Sequence, residues 1–339
     1  MVKLRRLAPI ARWLLLVVLV VLGGWYGVRH PEIFTALRSM TLSHVALSLV
    51  FVFTARWALA LQLRTLSGCL GVRLGVWESF GLVMINTMYS YLAPGRAGLG
   101  AQGLYLKKKH ALSFAHFGSL VAASNLLQAF ATASMTLVVA VIGRELGAPV
   151  PTSVLIGLLT MLGVIVAAGT ALGVFMGLAH RVPTKTLRSL CVRMSEGIRM
   201  LWGRKGVLLI VLGLGVVRLA GLSGLLWMAC SSVGLSVGIV PATAMTAFAV
   251  LGLLLPLTPG SLGVSEGIIS GIGELWGFPL ETLLLAALVR RAIAVVFTFS
   301  LGTVATYLLT GGLRNPTQEG YNDAQSRTTD AEPKKTGES

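Results

Sequence analysis

Hydrophobic residues in this chain come in long blocks rather than at the short periods of a soluble helix or strand. Six blocks, at 11–28, 42–63, 113–142, 153–178, 207–230 and 281–312, are each long enough to cross an apolar layer of about 30 Å as a helix. Two further apolar stretches cannot be plain helices. The first, 79–105, carries Pro94, Gly95, Gly98 and Gly100 near its middle. The second begins at Pro241, breaks at Pro256, Pro259 and Gly260, and runs through Ser261, Gly263, Ser265 and Glu266 before apolar character resumes. Backbone that leaves a helix inside a bilayer loses its internal hydrogen bonds, so such breaks survive only where protein or a wet cavity surrounds them. The pattern predicts an all-α polytopic membrane protein with about six full spans plus two re-entrant helical hairpins. A proline-kinked packing helix is the simpler alternative for the second stretch, and eight full spans for the whole chain.

Composition agrees with that class: 55% of residues are hydrophobic and 12% charged, with a mean hydropathy of +0.82. The membrane domain covers 1–313, with a first half at about 41–179, a basic interfacial linker at 180–205 and a second half at 206–313. Residues 314–339 are polar and read as a disordered cytoplasmic tail. A net charge of +16 would suggest a nucleic-acid ligand in a soluble protein. Here the basic residues flank apolar spans, as cytoplasmic loops do, and no nucleic-acid partner is expected. Of the 28 Lys and Arg, 20 fall on one side of the six-span arrangement and 3 on the other. This asymmetry puts both termini in the cytoplasm, opens the first hairpin to the cytoplasm and the second to the outside. Lys3, Arg5 and Arg6 precede the first block as in a signal peptide, but that block continues into Gly23, Gly24, Trp25 and Tyr26 without a small-x-small cleavage site. An uncleaved first span is expected. Within the linker, Leu187, Leu190, Met194, Ile198 and Leu201 recur at helical spacing among seven basic residues, the pattern of a helix lying at the membrane surface.

The two broken stretches share a motif. Pro94-Gly95-Arg96-Ala97-Gly98 and Pro259-Gly260-Ser261-Leu262-Gly263 are both PGxxG, and each continues to a polar residue and a glycine, Gln102-Gly103 and Glu266-Gly267. Asn125 follows Pro94 by 31 residues and Arg290 follows Pro259 by 31. With opposite sidedness, the halves become inverted repeats, and transporters of that plan hold substrate at the midplane where discontinuous helices meet. Gly98, Gly100 and Gly103 also spell GxGxxG, but no strand precedes them, so these glycines serve close packing rather than a nucleotide.

Five arginines fall inside membrane segments: Arg56, Arg96, Arg218, Arg290 and Arg291. Each costs about 2.5–3.5 kcal/mol at the centre of a bilayer, so each requires a partner, water or a ligand. An excess of arginine over acid suits phosphate, whose oxygens take paired guanidinium donors. Alternatively, Glu266 pairs with Arg290 or Arg291 to neutralise both; Arg56 could reach toward the interface, and Arg291 could face the outer leaflet. The candidate substrate-binding set is Arg96, Gln102, Asn125, Arg218, Pro259, Gly260, Gly263, Glu266, Arg290 and Arg291. The three cysteines and five histidines show no ligand spacing, and neither a nucleophile triad nor a carboxylate pair is present. No metal, cofactor or enzymatic activity is expected.

With these residues in place, the chain resembles the flippase-like integral membrane family that includes the N-terminal membrane domain of lysylphosphatidylglycerol synthase/flippase proteins. The resemblance covers about 10–312 and is carried by the segment from Pro259 to Gly267, by Ala286-Ala-Leu-Val-Arg290, and in the first half by Gly98-Leu-Gly100 and the stretch from Tyr105 to Phe114. It departs at Gln102, where a basic residue is common, and at Ser124-Asn125, where an acidic-arginine pair is common. The resemblance implies a lipid translocase of the cytoplasmic (inner) membrane, moving an anionic phospholipid or lipid-linked phosphate between leaflets. The alternative is a non-catalytic partner that presents lipid or polyprenyl-linked substrate to a lipid- or glycan-synthesising enzyme. A homo-oligomer is compatible with either.

Overall fold

The computed structural model describes residues 41–92, 97–177, 192, 195–196, 203–252, 261 and 263–311. The first predicted span, most of the basic linker, the tail, and Arg96, Pro259 and Gly260 lie outside the described residues. The chain is an all-helical polytopic membrane protein, with no strand among the described residues. Its helices are α1 (Leu42–Cys69), α2 (Val76–Leu92), α3 (Ala97–His110), α4 (Phe114–Glu145), α5 (Thr152–Gly177), α6 (Lys205–Ser232), α7 (Ile239–Gly252), α8 (Val264–Glu274) and α9 (Leu280–Gly311). Five of them, α1, α4, α5, α6 and α9, are long and apolar enough to cross a membrane. Both predicted broken stretches are pairs of short helices. At 1.5 Å per residue, the 17 residues of α2 and 14 of α3 reach only about 25 and 21 Å.

Helix length recurs along the chain. α1 and α6 each have 28 residues, α4 and α9 each 32, and a short pair lies between the long helices each time. The packing follows the same order. α1 lies against α6, α2 against α9 and α7 against α4, while α2–α3 and α7–α8 pack within their pairs. Leu66, Leu82, Met84 and Leu106 are fully buried in the core of the first half; Leu226, Met245, Ile269 and Leu283 are fully buried in that of the second. Residues of α5 mostly face outward, as expected of a lipid-facing span. Of its glycines, Gly169 packs on Leu126 while Gly173 faces open space.

The α1–α6 contact is close because of glycine. A Cβ at Gly221 would lie 2.8 Å from the Phe51 carbonyl oxygen, and one at Gly224 would lie 2.5 Å from the Phe51 ring. Small residues allow such backbone approach where apolar burial supplies no driving force between helices.

α2 and α3 form an antiparallel pair closed at both ends. At the tip, Gly98 sits so close to α2 that a Cβ would lie 1.9 Å from the Asn86 carbonyl oxygen. Farther along, Gly103 packs on the Phe117 ring, whereas Gly100 has open space. At the base, one Glu78 carboxylate oxygen accepts hydrogen bonds from Tyr105 Oη at 2.7 Å and Lys109 Nζ at 2.9 Å, and pairs with His110 Nε2 at 2.9 Å. The start of α2 and the end of α3 therefore stand at one level. Arg64 Nε donates to the Leu74 carbonyl at 3.1 Å and ties the end of α1 to the same level. Burial pushes the Glu78 carboxyl up, but the bonds from His110, Lys109, Tyr105 and the Gly75 N–H outweigh it and hold the pKa at about 2.

Two outcomes follow from this hairpin. Gly98→Ala should force the tip apart and cost about 1–3 kcal/mol, read as a lower unfolding temperature in detergent. Because the Glu78 pKa lies below its ordinary value of 4.5, the stabilisation is complete above that pH and disappears as pH falls toward about 2. Glu78→Gln should therefore lower thermal stability uniformly between pH 6 and 8, and its deficit relative to wild type should close on acidification below 4.5.

Candidate functional site

The second break is organised around one carboxylate. Ser261 and Gly263 both adopt left-handed backbone, with φ of 53° and 79°, so the chain turns sharply before α8 begins. Such a conformation costs a non-glycine residue about 1–3 kcal/mol and persists only where its surroundings hold it. Here α9 does the holding. Arg291 Nη2 donates to the Ser261 carbonyl oxygen at 3.0 Å and to Glu266 Oε2 at 3.1 Å, while Arg291 Nε donates to Glu266 Oε1. Glu266 Oε2 also accepts the Gly263 N–H at 2.9 Å, capping α8 from its first turn. The Glu266 side chain is 5% exposed and that of Arg291 is 11% exposed, so this is a buried ion pair with its oxygens engaged.

Beside it, Arg290 Nη2 donates to Ser265 Oγ at 2.8 Å. Consecutive arginines on α9 thus meet consecutive residues on α8, Ser265 and Glu266. The two contacts differ in charge balance: Arg291 meets an anion, whereas Arg290 meets a neutral hydroxyl and keeps a buried Nε with no hydrogen-bond partner among the described residues. Arg290 is also within electrostatic reach of Arg56 and Tyr91, and Arg56 of Arg218. Arg56 and Arg218 stand near the middle of α1 and α6, next to the Gly221 crossing. The polar contact of Arg56 is a long one, 3.5 Å from Nη1 to Thr87 Oγ1 on α2.

Among the described residues, Glu266 is the sole carboxylate in this interior. Glu78 is held at the base of the first hairpin, and Glu145, Glu196, Glu274 and Glu281 are exposed. Among the described residues, the first break has no matching ion pair. Gln102 is 4% exposed on α3, and Asn125 is partly buried on α4, neutral groups at the repeat positions of Glu266 and Arg290.

The model for the lysylphosphatidylglycerol synthase TM region matches residues 10–302. The chain belongs to that family. No curated protein matches it. For this member of the lysylphosphatidylglycerol synthase TM family, the structure brings Gly263, Glu266, Arg290 and Arg291 together and sets Arg218 within one further arginine of them. Arg291 turns inward to Glu266 rather than toward the outer leaflet. Arg56 belongs to the same group although the sequence motif did not include it. Its signal was a charge midway along an apolar span, at nearly the same depth in α1 as Arg218 in α6. Ser261 and Ser265 stand out in the sequence only as polar residues of the second break, and Tyr91 gives no signal because an aromatic ring is ordinary in apolar helices.

Removing one partner of a buried ion pair leaves an uncompensated charge, which costs about 3–5 kcal/mol. Arg291→Ala should destabilise the protein by that amount in thermal or denaturant unfolding. The double variant Glu266→Leu with Arg291→Met should recover most of it, and recovery would separate the electrostatic cost from lost packing.

Proposed function

We propose that this protein is a lipid translocase of the cytoplasmic (inner) membrane that moves an anionic phospholipid or lipid-linked phosphate between leaflets. The observation that carries the reading is the arginine group of α1, α6 and α9, gathered beside a broken helix in the interior of a membrane protein. Family membership supports a membrane-lipid role. The two short helix pairs act as re-entrant hairpins of opposite sidedness, related as inverted repeats; matching helix lengths and the reciprocal packing of α2 on α9 and α7 on α4 support that plan. Both termini are cytoplasmic in this reading, which the distribution of Lys and Arg supports.

In this scheme the headgroup phosphate enters between the hairpins and its oxygens accept from Arg290, Arg218 and Arg56, with Arg96 adding a donor from the first PGxxG break. Arg290 Nε has no hydrogen-bond partner among the described residues. Arg291 and Glu266 hold the turn from Ser261 to Gly263 in place, so their role is to position Ser265 and Arg290. Gln102 and Asn125 offer neutral hydrogen bonds at the opposing break, and Pro259 and Gly260 belong to the site through their place in the second PGxxG motif. Acyl chains stay in the lipid, and no bond is made or broken.

The test is leaflet exchange in liposomes containing purified protein and fluorescent anionic phospholipids. Wild type should accelerate exchange. Arg290→Ala should slow it by at least about tenfold, the equivalent of one lost charge-assisted hydrogen bond, and Glu266→Gln should also slow it. Folded protein that moves no lipid in a panel would overturn the reading and favour a partner that presents lipid to a synthesising enzyme.

A further inference from the structure

One face of α6 borders a cleft rather than another helix. Val216, Leu219, Ala220, Ser223, Gly224 and Trp227 recur every three or four residues along it. Phe51 of α1, Met135 of α4 and Thr243 of α7 complete the walls, and the cleft encloses 330 Å³. Sites for small apolar ligands between the helices of bundles begin at about 300 Å³. At about 100° per residue, Arg218 projects from the opposite side of α6 to this stripe, so the cleft is separate from the arginine group. At one end, a Cβ on Gly143 would lie 2.5 Å from the Val240 side chain, which puts the end of α4 beside the start of α7. Ala220, Trp227 and Ile239 are exposed at the mouth. Leu219, Ala242 and Thr243 are only 3%, 1% and 7% exposed on the walls.

The lining states what can enter. It carries no charged side chain, which excludes an ionic group. Ser223 is 7% exposed, and its Oγ has no hydrogen-bond partner among the described residues, so an occupant with a neutral oxygen is favoured. Water fits poorly, because a buried water needs two to four polar partners and the lining offers two hydroxyls, those of Ser223 and Thr243. A helix from this chain or a second copy is too thick: one turn, about 10 Å across and 5.4 Å long, displaces about 400 Å³. A hydrocarbon chain is thin enough. Its depth also suits a lipid. Along their helices, Ser223 stands about 14 Å from the end of α6 at Ser232, and Thr243 about 6 Å from the start of α7 at Ile239. The headgroup layer outside the hydrocarbon core is about 5–8 Å thick, so these hydroxyls stand near the level where lipid ester groups give way to chains.

We propose that this cleft holds one acyl chain of a diester phospholipid, with an ester carbonyl accepting a hydrogen bond from Ser223 Oγ. The chain runs past Leu219 and Val216 toward Met135. This lipid is a resident ligand whose headgroup stays at the membrane surface, so the inference does not depend on the translocase reading.

The test is photolabelling of the full-length protein in liposomes. The probes are a diester phosphatidylcholine with a diazirine in mid-chain and its diether analogue, which lacks the ester carbonyls; adducts are mapped by mass spectrometry. The diester should label Leu219 and Thr243, which bulk lipid does not reach, as well as outward residues such as Val217. Ala220→Phe should fill the cleft and remove the adducts at Leu219 and Thr243 while sparing those at Val217. Ser223→Ala and the diether should each reduce wall labelling about fivefold, the loss of one neutral hydrogen bond. Adducts confined to outward residues in folded wild-type protein would overturn the proposal. So would wall labelling that is indifferent to both Ser223→Ala and the ether linkage, or crosslinks showing that residues 11–28 or a second copy fill the cleft instead.

Discussion

An ion buried in an apolar layer is tolerated only with its counter-ion and its hydrogen bonds supplied, and the pair of Glu266 and Arg291 meets both conditions. The carboxylate receives Arg291 and the Gly263 N–H; the guanidinium also reaches the Ser261 carbonyl. This contact fastens a strained turn, the start of α8 and the middle of α9 to one another. The register it sets brings the adjacent Arg290 onto Ser265. Its electrostatic neutrality makes it a scaffold, and the arginines beside it carry the unbalanced charge.

The unbalanced charge depends on a second constraint, the close crossing of α1 and α6. Gly221 and Gly224 let the α6 backbone approach Phe51 and Ala55 without intervening side chains. Arg56 and Arg218, each one or a few residues from that crossing, are thereby held near each other despite repulsion. Dispersion across the glycine contact and the packed second-half core must outweigh that repulsion in the ligand-free protein.

The repeated PGxxG motif shows how one sequence signal can stand for two physical requirements. At its last glycine in the first half, Gly98, the requirement is space, because α2 backbone occupies the Cβ position. At the last glycine in the second half, Gly263, there is open space but φ is 79°, so the requirement is conformational freedom. The downstream residues diverge likewise. Glu266 is drawn into an ion pair, whereas Gln102 is buried as a neutral group. The described residues that follow the two breaks therefore differ in charge.

Sequence alone determined the class, the helix count in the described region, the places where helices break and the presence of arginines at membrane depth. Each follows from one-dimensional physics: an apolar layer of known thickness sets block length, proline and glycine interrupt the hydrogen-bond ladder, and a charge in an apolar span stands out by its cost. Tertiary structure decided which arginine Glu266 neutralises, that Arg56 joins the group, and that Ser261 and Ser265 complete it. Arg290 and Arg291 are neighbours on a helix that turns about 100° per residue, so only the rotation of α9 against α8 selects the partner. Arg56 and Arg218 lie in different halves of the chain, and what unites them is a glycine-lined crossing whose existence depends on how two apolar helices fit.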